Sequence, residues 1–372
     1  MKSRLHIAFF GSSLVSAYWN GAATYYRGIL RALADRGHDI TFYEPDAYGR
    51  QAHRDIPDPD WAKVVVYSAQ TPDGVLAQVN AARGADLVVK ASGVGVHDAL
   101  LEAAVLELKS SRTTVVFWDV DAPVTLDRMN ADPADSLRAL VPNYDLILTY
   151  GGGQPVIDAY EALGAVQCVP IYNALDPHVH FPVPAEARFS GDLAFLGNRL
   201  PDREHRVEEF FFNVANALPS RRFLLGGSGW ANHALPGNVA YVGHVYTKDH
   251  NAFNSSPTAV LNINRESMAR YGFSPPTRVF EAAGSCACLI TDAWDGIELF
   301  LEPGKEVLVA RNAGEVAAHL ESLTPVKAGI IGAAAMRRIQ REHTYAHRVV
   351  QLERVLEGYE TWNVESVELK AS

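Results

Sequence analysis

Gly272-Phe273-Ser274-Pro275-Pro276-Thr277-Arg278-Val279-Phe280-Glu281-Ala282-Ala283-Gly284, followed closely by the apolar run 288–291, reads as a helix start feeding a buried strand. Serine is a good N-cap and proline fits the first helical position, so Ser274 and Pro275 predict a helix over 275–283. The first turn of such a helix offers unsatisfied backbone N–H groups and a partial positive charge, a natural seat for a phosphate. Ser274, Thr277 and Arg278 stand in or beside that turn and are candidates to touch it. Glu281 lies six residues beyond Pro275, about 9 Å along the axis at roughly 1.5 Å per residue. That matches the reach from a diphosphate to the ribose hydroxyls of a nucleotide, which a carboxylate would hold by accepting from both. On spacing alone, Glu281 equally pairs with Arg278 three residues earlier or faces solvent.

Outward from this stretch, short apolar runs alternate with longer helical patterns, the mark of parallel sheets wrapped by helices. Strands are expected at 6–10, 40–43, 63–67, 87–90, 114–118 and 146–149, with helices near 24–36, 98–109 and 155–163. The pattern then restarts, with strands at 192–196, 222–225, 239–242, 259–263, 288–291 and 307–309. Helices at 202–218, 275–283 and 313–323 accompany them. Two such halves describe an α/β chain of two Rossmann-like domains facing across a cleft, 1–172 and 191–343. They are joined by the linker 173–190 with Pro177, Pro182 and Pro184. A last helical pattern, near 344–359 within the segment 344–372, is placed to cross back to the first domain.

Composition narrows the partners. Of 372 residues, 48% are hydrophobic and 20% charged, enough to bury two cores. Lys and Arg total 33 against 43 Asp and Glu, a net charge of −10. That balance argues against nucleic acid or an anionic membrane as main partner. Three cysteines make no disulfide framework, and Cys286-x-Cys288 suits a buried strand better than a metal site, so no metal is expected. Residues 1–10 read as a first strand, not a signal peptide, and no apolar run approaches a membrane span. The expected compartment is the cytoplasm.

Two-domain α/β proteins place ligands at the carboxyl ends of their strands, so residues just after strands are the candidates. The first strand leads into Gly11-Ser12-Ser13 and then Tyr18-Trp19-Asn20-Gly21-Ala22-Ala23, where Asn20 and Gly21 permit close approach of backbone to a ligand. This is not a G-x-G-x-x-G fingerprint, and Glu44 after the second strand gives a dinucleotide little support, which leaves an NAD dehydrogenase as the weakest rival. After Trp118 come Asp119 and Asp121, which point the same way if the chain stays extended. A carboxylate there could take an acceptor proton or stabilise an oxocarbenium-like state. Asp121 serves equally as the cap of the next turn. His97 is a further candidate base, or a structural residue at a helix start.

Several segments, in order along nearly the whole chain, carry a resemblance. Phe280-Glu281-Ala282-Ala283-Gly284, Cys288-Leu289-Ile290-Thr291-Asp292 and Leu301-Glu302-Pro303-Gly304-Lys305-Glu306-Val307 are three of them. With Gly37-His38-Asp39-Ile40-Thr41, Ile171-Tyr172-Asn173-Ala174-Leu175-Asp176-Pro177, Leu193-Ala194-Phe195-Leu196-Gly197-Asn198-Arg199 and Leu225-Gly226-Gly227-Ser228-Gly229, they resemble group 1 GT-B glycosyltransferases. The likeness is greatest to the CgeB-like spore-maturation branch. It implies transfer of a sugar from a nucleotide-diphosphate donor, a UDP-sugar first, to a glycan, metabolite or protein acceptor, with no other cofactor. Glu281 would hold the ribose, and the Gly197–Asn198 loop would face the diphosphate with Arg199 or Arg203 as its cation. The base would lie against Gly227 and Trp230 and against Gly243 and His244, although Trp230 equally reads as packing. The first domain would receive the acceptor. One position departs from the pattern: Phe273 stands eight residues before Glu281, where retaining members carry another glutamate. That departure makes a non-catalytic nucleotide-sugar-binding protein an alternative, and a nucleotide-sugar epimerase is another because the same fold hosts such enzymes.

Overall fold

The computed structural model describes residues 4–18 and 20–358. Residues 1–3, Trp19 of the loop around Asn20, and residues 359–372 of the expected tail lie outside the described residues. The chain divides into two compact units, one made of residues up to Asn173 together with those from Tyr345 on, the other of Ala174–Thr344.

The first unit is built on seven parallel strands: β1 (His6–Phe10), β2 (Asp39–Pro45), β3 (Lys63–Tyr67), β4 (Leu87–Ala91), β5 (Thr114–Asp119), β6 (Leu146–Thr149) and β7 (Cys168–Pro170). Their order is β3-β2-β1-β4-β5-β6-β7. The central strands are apolar on both faces because helices cover both; β4 and β6 are buried throughout. Helix Ala23–Asp35 contributes Tyr25, Tyr26, Ile29 and Leu30 to this core. Helix Tyr345–Leu356 packs against it, and a Cβ at Gly28 would fall 2.0 Å from the Tyr345 ring, so only glycine admits the contact. Glu353 of that helix also pairs with Arg36 and His38.

The second unit carries β8 (Leu193–Leu196), β9 (Phe223–Gly226), β10 (Val239–Gly243), β11 (Ala259–Asn262), β12 (Leu289–Asp292) and β13 (Leu308–Ala310). Its parallel sheet runs β10-β9-β8-β11-β12-β13. Phe195, Phe211, Leu225, Leu261 and Ile290 fill one core. In both sheets the order reverses beside the first strand of the unit, between β1 and β4 and between β8 and β11. Such a switch point opens a crevice at the carboxyl ends of the strands.

Several elements depart from the sequence expectation. β7 has only three residues, too few for a periodicity signal. Helices Pro72–Ala81, Ala122–Ala131 and the 18-residue Pro325–Glu342 were not anticipated. The last of these has a clear local start, since the Thr324 side chain accepts from the Lys327 backbone N–H and Pro325 follows the cap. The expected helix 202–218 begins at Glu204 and widens into a π-helical stretch at Glu208–Phe212 before ending at Ala217. Among the described residues, no helix is long and apolar enough to cross a membrane.

Candidate functional site

The helix expected over 275–283 starts two residues late, at Thr277. A proline forces the residue before it out of the helical region, so Pro276 keeps Pro275 extended and itself becomes the N-cap. The Ser274 hydroxyl does not cap the helix; it donates to the Gly272 carbonyl at 2.9 Å. Glu281 is consequently four residues from the first helical position, about 6 Å, and the 9 Å span expected from the sequence is corrected.

Glu281 is 5% exposed. Its Oε2 lies 3.6 Å from Arg278 Nη1 and its Oε1 3.9 Å from His180 Nε2. Burial pushes its pKa up, but His180, Arg278, His250 and a bond from Thr277 outweigh that and hold it below the usual carboxylate value. Arg278 also donates to Asn254 Oδ1 at 3.2 Å, tying the helix to the segment His250–Ser255. Around this acid, buried polar atoms lack hydrogen-bond partners among the described residues: Arg278 Nε, Asn254 Nδ2, His250 Nδ1 and a ring nitrogen of His180, whose ring also interacts with Asn251. His180 and His250, whose rings stack 6.2 Å apart, carried no signal in the sequence motifs; they reach Glu281 only through the tertiary fold.

The loop after β8 settles differently for its two arginines. Arg199 is paired with Glu204 at 2.6 Å and is well exposed. Arg203 is turned inward, donating to the Asn198 carbonyl and lying over the Phe195 ring, 5.7 Å from its centroid. No carboxylate among the described residues forms an ion pair with Arg203, its Nε is unpartnered, and burial pulls its pKa down to about 10. Gly197 leaves it room, since a Cβ there would meet Arg203 Nη2 at 2.8 Å.

The loops after β8, β9 and β10 are laced by backbone. Gly197 N–H donates to Gly226 O, Gly227 N–H to Gly243 O, and Ser228 N–H to Asn198 Oδ1. Gly227 has φ 118° and passes so close to Gly197 that a Cβ would sit 2.3 Å from its carbonyl oxygen. Trp230 is corrected to a packing residue: it is 1% exposed, its ring meets Phe212 and His233, and its Nε1–H donates to Gly197 O. A ring so enclosed offers no face to a base. His244 is exposed beside Tyr246, and Gly243 has φ 74° with open space around it.

In the first unit the expected acid–base residues differ in setting. Asp119 is 0% exposed and accepts from Ser92 Oγ, Asp121 N–H, Thr125 Oγ1 and Tyr160 OH. Three of these bonds fall on Oδ1 and one on Oδ2, so the buried carboxylate is engaged in holding the loops together, against the expectation of an accessible catalytic acid. Asp121 is half-buried at the N-cap of helix Ala122–Ala131, without a side-chain cap bond. His97 sits in left-handed backbone before helix Asp98–Ala104, its Nε2 2.9 Å from the Ala69 carbonyl. Asn20 is consumed by the loop, accepting from Ser12 Oγ and donating to the carbonyls of Ser13 and Ser16. Gly21 is exposed, with nothing within 4 Å of an added Cβ. Among the described residues no three side chains gather where a metal ion could be held.

Against known proteins, residues 203–354 match a family model described as glycosyl transferase-like. A search of curated protein sequences finds no match. Similar solved structures include a sucrose-phosphate synthase from Thermosynechococcus elongatus, 15% identical with TM-score 0.69, covering 96% of this chain and 100% of that one. Anabaena HepE in complex with UDP and glucose is 15% identical with TM-score 0.67, covering 95% and 99%. An alpha-glucosyltransferase in complex with UDP-glucose and DNA containing an abasic site is 11% identical with TM-score 0.70, covering 95% and 100%. The chain thus matches a glycosyl transferase-like domain model over residues lying mostly in its second unit, and its two parallel-sheet α/β units have the fold seen in GT-B glycosyltransferase structures.

Proposed function

We propose that the protein transfers a sugar from a nucleotide-diphosphate donor, a UDP-sugar, to an acceptor not yet identified. The observation that carries this reading is the cluster at the carboxyl edge of the second sheet, where an ionised, buried Glu281 stands among polar groups, Arg278 Nε and Asn254 Nδ2 as donors and His250 Nδ1 as an acceptor, that the fold leaves unpartnered. Leaving a buried polar group unsatisfied costs about 1–3 kcal/mol, a cost that a bound polar ligand removes. Glu281 would accept from the ribose hydroxyls, Arg203 would meet the diphosphate, and the first turn at Thr277 and Arg278 would present backbone N–H groups beside it. HepE and the alpha-glucosyltransferase were solved with UDP or UDP-glucose, which supports the same base here. The motifs 280–284, 288–292 and 301–307 favour the CgeB-like branch, and the acidic net charge favours an acceptor other than nucleic acid.

The test is calorimetric titration of UDP into the full chain and into Glu281→Gln. The substitution is expected to weaken binding by about 1.5–3 kcal/mol, the scale of a lost charged hydrogen-bond set. Equal affinity for the two proteins would remove Glu281 from the donor site. Release of UDP only when an acceptor is present would separate transfer from epimerisation.

A further inference from the structure

Arg50 is the counterpart in the first unit of the inward-turned Arg203. It is 6% exposed and lies in the 3-10 turn Arg50–His53 after β2. Its Nη1 donates to the Ser12 carbonyl at 3.1 Å and to the Val94 carbonyl at 3.3 Å. Ser12 follows β1 and Val94 follows β4, so the guanidinium spans the switch point of the first sheet, where an open α/β sheet receives ligands. Among the described residues no carboxylate forms an ion pair with Arg50, and its Nε has no hydrogen-bond partner. The nearby acids are committed elsewhere: Glu44 accepts from Ser13, Leu14 and Gln51, and Asp98 from Lys90, Val94 and Gly95. Burial pulls the Arg50 pKa down, against the smaller raising effects of Tyr48, Tyr26, Glu44 and Asp98. The Tyr26 hydroxyl, also buried, lies beside Ser12 and feels the Arg50 charge.

A second feature marks the place. Tyr48 lies over Arg50, its ring centroid 5.0 Å from the guanidinium carbon, and its hydroxyl donates to Gly95 O at 2.5 Å. It holds φ 56°, left-handed backbone that a bulky residue adopts at a cost of order 1–3 kcal/mol, and it is 59% exposed. A strained, exposed tyrosine thus covers a buried cation that makes no direct ion pair among the described residues.

We propose that Arg50, covered by Tyr48, binds an oxyanion of the acceptor, a phosphoryl or carboxylate group, at the β1/β4 switch point. The word acceptor rests on the transferase reading; the anion site does not. A buried arginine with carbonyls on one side is held rigidly, and its remaining N–H edge favours a planar or tetrahedral oxyanion.

The experiment titrates sodium phosphate, and separately sodium acetate, against sodium chloride at matched ionic strength, following the melting temperature of the full chain and of Arg50→Met and Arg203→Met. The expected result is a rise in melting temperature with phosphate or acetate that persists in Arg203→Met and needs at least 10-fold more anion in Arg50→Met. Which salt acts tells a phosphoryl from a carboxylate group. No anion-specific rise, or a rise lost only in Arg203→Met, overturns the proposal. Should Arg50→Met not fold, crystals of the unaltered protein soaked in tungstate decide: a peak within hydrogen-bond distance of Arg50 supports the site, and peaks confined to the second unit refute it. None of these readings depends on UDP binding or turnover, so the transferase assignment can fail while Arg50 stands, and the reverse.

Discussion

At the carboxyl edge of the first sheet most buried charge is neutralised within the protein. Asp119 takes four donors, and Lys90, 0% exposed, contacts Asp98 at 2.7 Å and Glu102 at 3.6 Å. At the same edge of the second sheet the books do not close: Arg203, Arg278, Asn254, His180 and His250 each keep a buried atom without a partner. The physical lesson is that identical strand-end positions serve opposite ends. An acid with several donors fixes loops, whereas unsatisfied polar groups around one ionised acid are tolerated where a ligand completes them. In the first unit Arg50 too keeps a buried nitrogen without a partner.

The contrast can be broken most directly at Asp119. Asp119→Ala strands four donors in a dry interior, and unfolding by urea should show a loss of about 3–5 kcal/mol, the scale for removing one member of a buried charged network. Retained stability would mean that the first edge is not scaffold after all.

Acid titration probes the second edge with a smaller effect. Burial, opposed in part by Glu281, lowers the His250 pKa to about 4, and it lowers that of His180 too. The unfolded chain, titrating near 6.5, therefore takes up protons first. Stability is complete above about pH 6.5 and falls as the pH drops toward 4, by at most about 3 kcal/mol from His250. Glu281 acts elsewhere: its lowered pKa supports the fold above the usual carboxylate range and is lost only at more acid pH. Urea midpoints measured from pH 7 to 4.5 should show the slope, and His250→Asn should flatten it. A flat profile in the unaltered protein would refute the assignment.

Arg203 and Arg199 sharpen the comparison inside one loop. Arg203→Met should weaken UDP binding by about 1.5–3 kcal/mol, the scale of hydrogen bonds to charged groups. Arg199→Met, which removes only an exposed pair with Glu204, should change it by less than about 1 kcal/mol. Equal losses would mean that burial does not identify the phosphate-facing cation. The smallest effect is expected at Gly21, where a side chain has open space: Gly21→Ala should alter stability by less than about 0.5 kcal/mol in thermal unfolding.

Much of the fold was legible because buried parallel strands are short apolar runs punctuated by Gly, Pro and Asp, a signal local to each run. Six strands of each sheet stood out this way, whereas the three-residue β7 was too short to show a period. The Thr277 helix was found but misplaced, since the effect of Pro276 on Pro275 outweighs the capping preference of Ser274. For the site, Glu281 and the Arg199/Arg203 pair could be named from spacing and resemblance, but not which arginine turns inward. That choice was made by Glu204, by the Phe195 ring and by the room that Gly197 leaves.

By itself the sequence determined two β/α halves, an acidic chain and a helix start bearing a carboxylate, because periodicity, charge and capping are written in neighbouring residues. Only the tertiary structure decided that Trp230 packs, that Asp119 is held by several donors, and that His180 and His250 attend Glu281. Hydrogen-bond satisfaction depends on groups brought together from distant strands, and no local pattern records which of them will be left wanting.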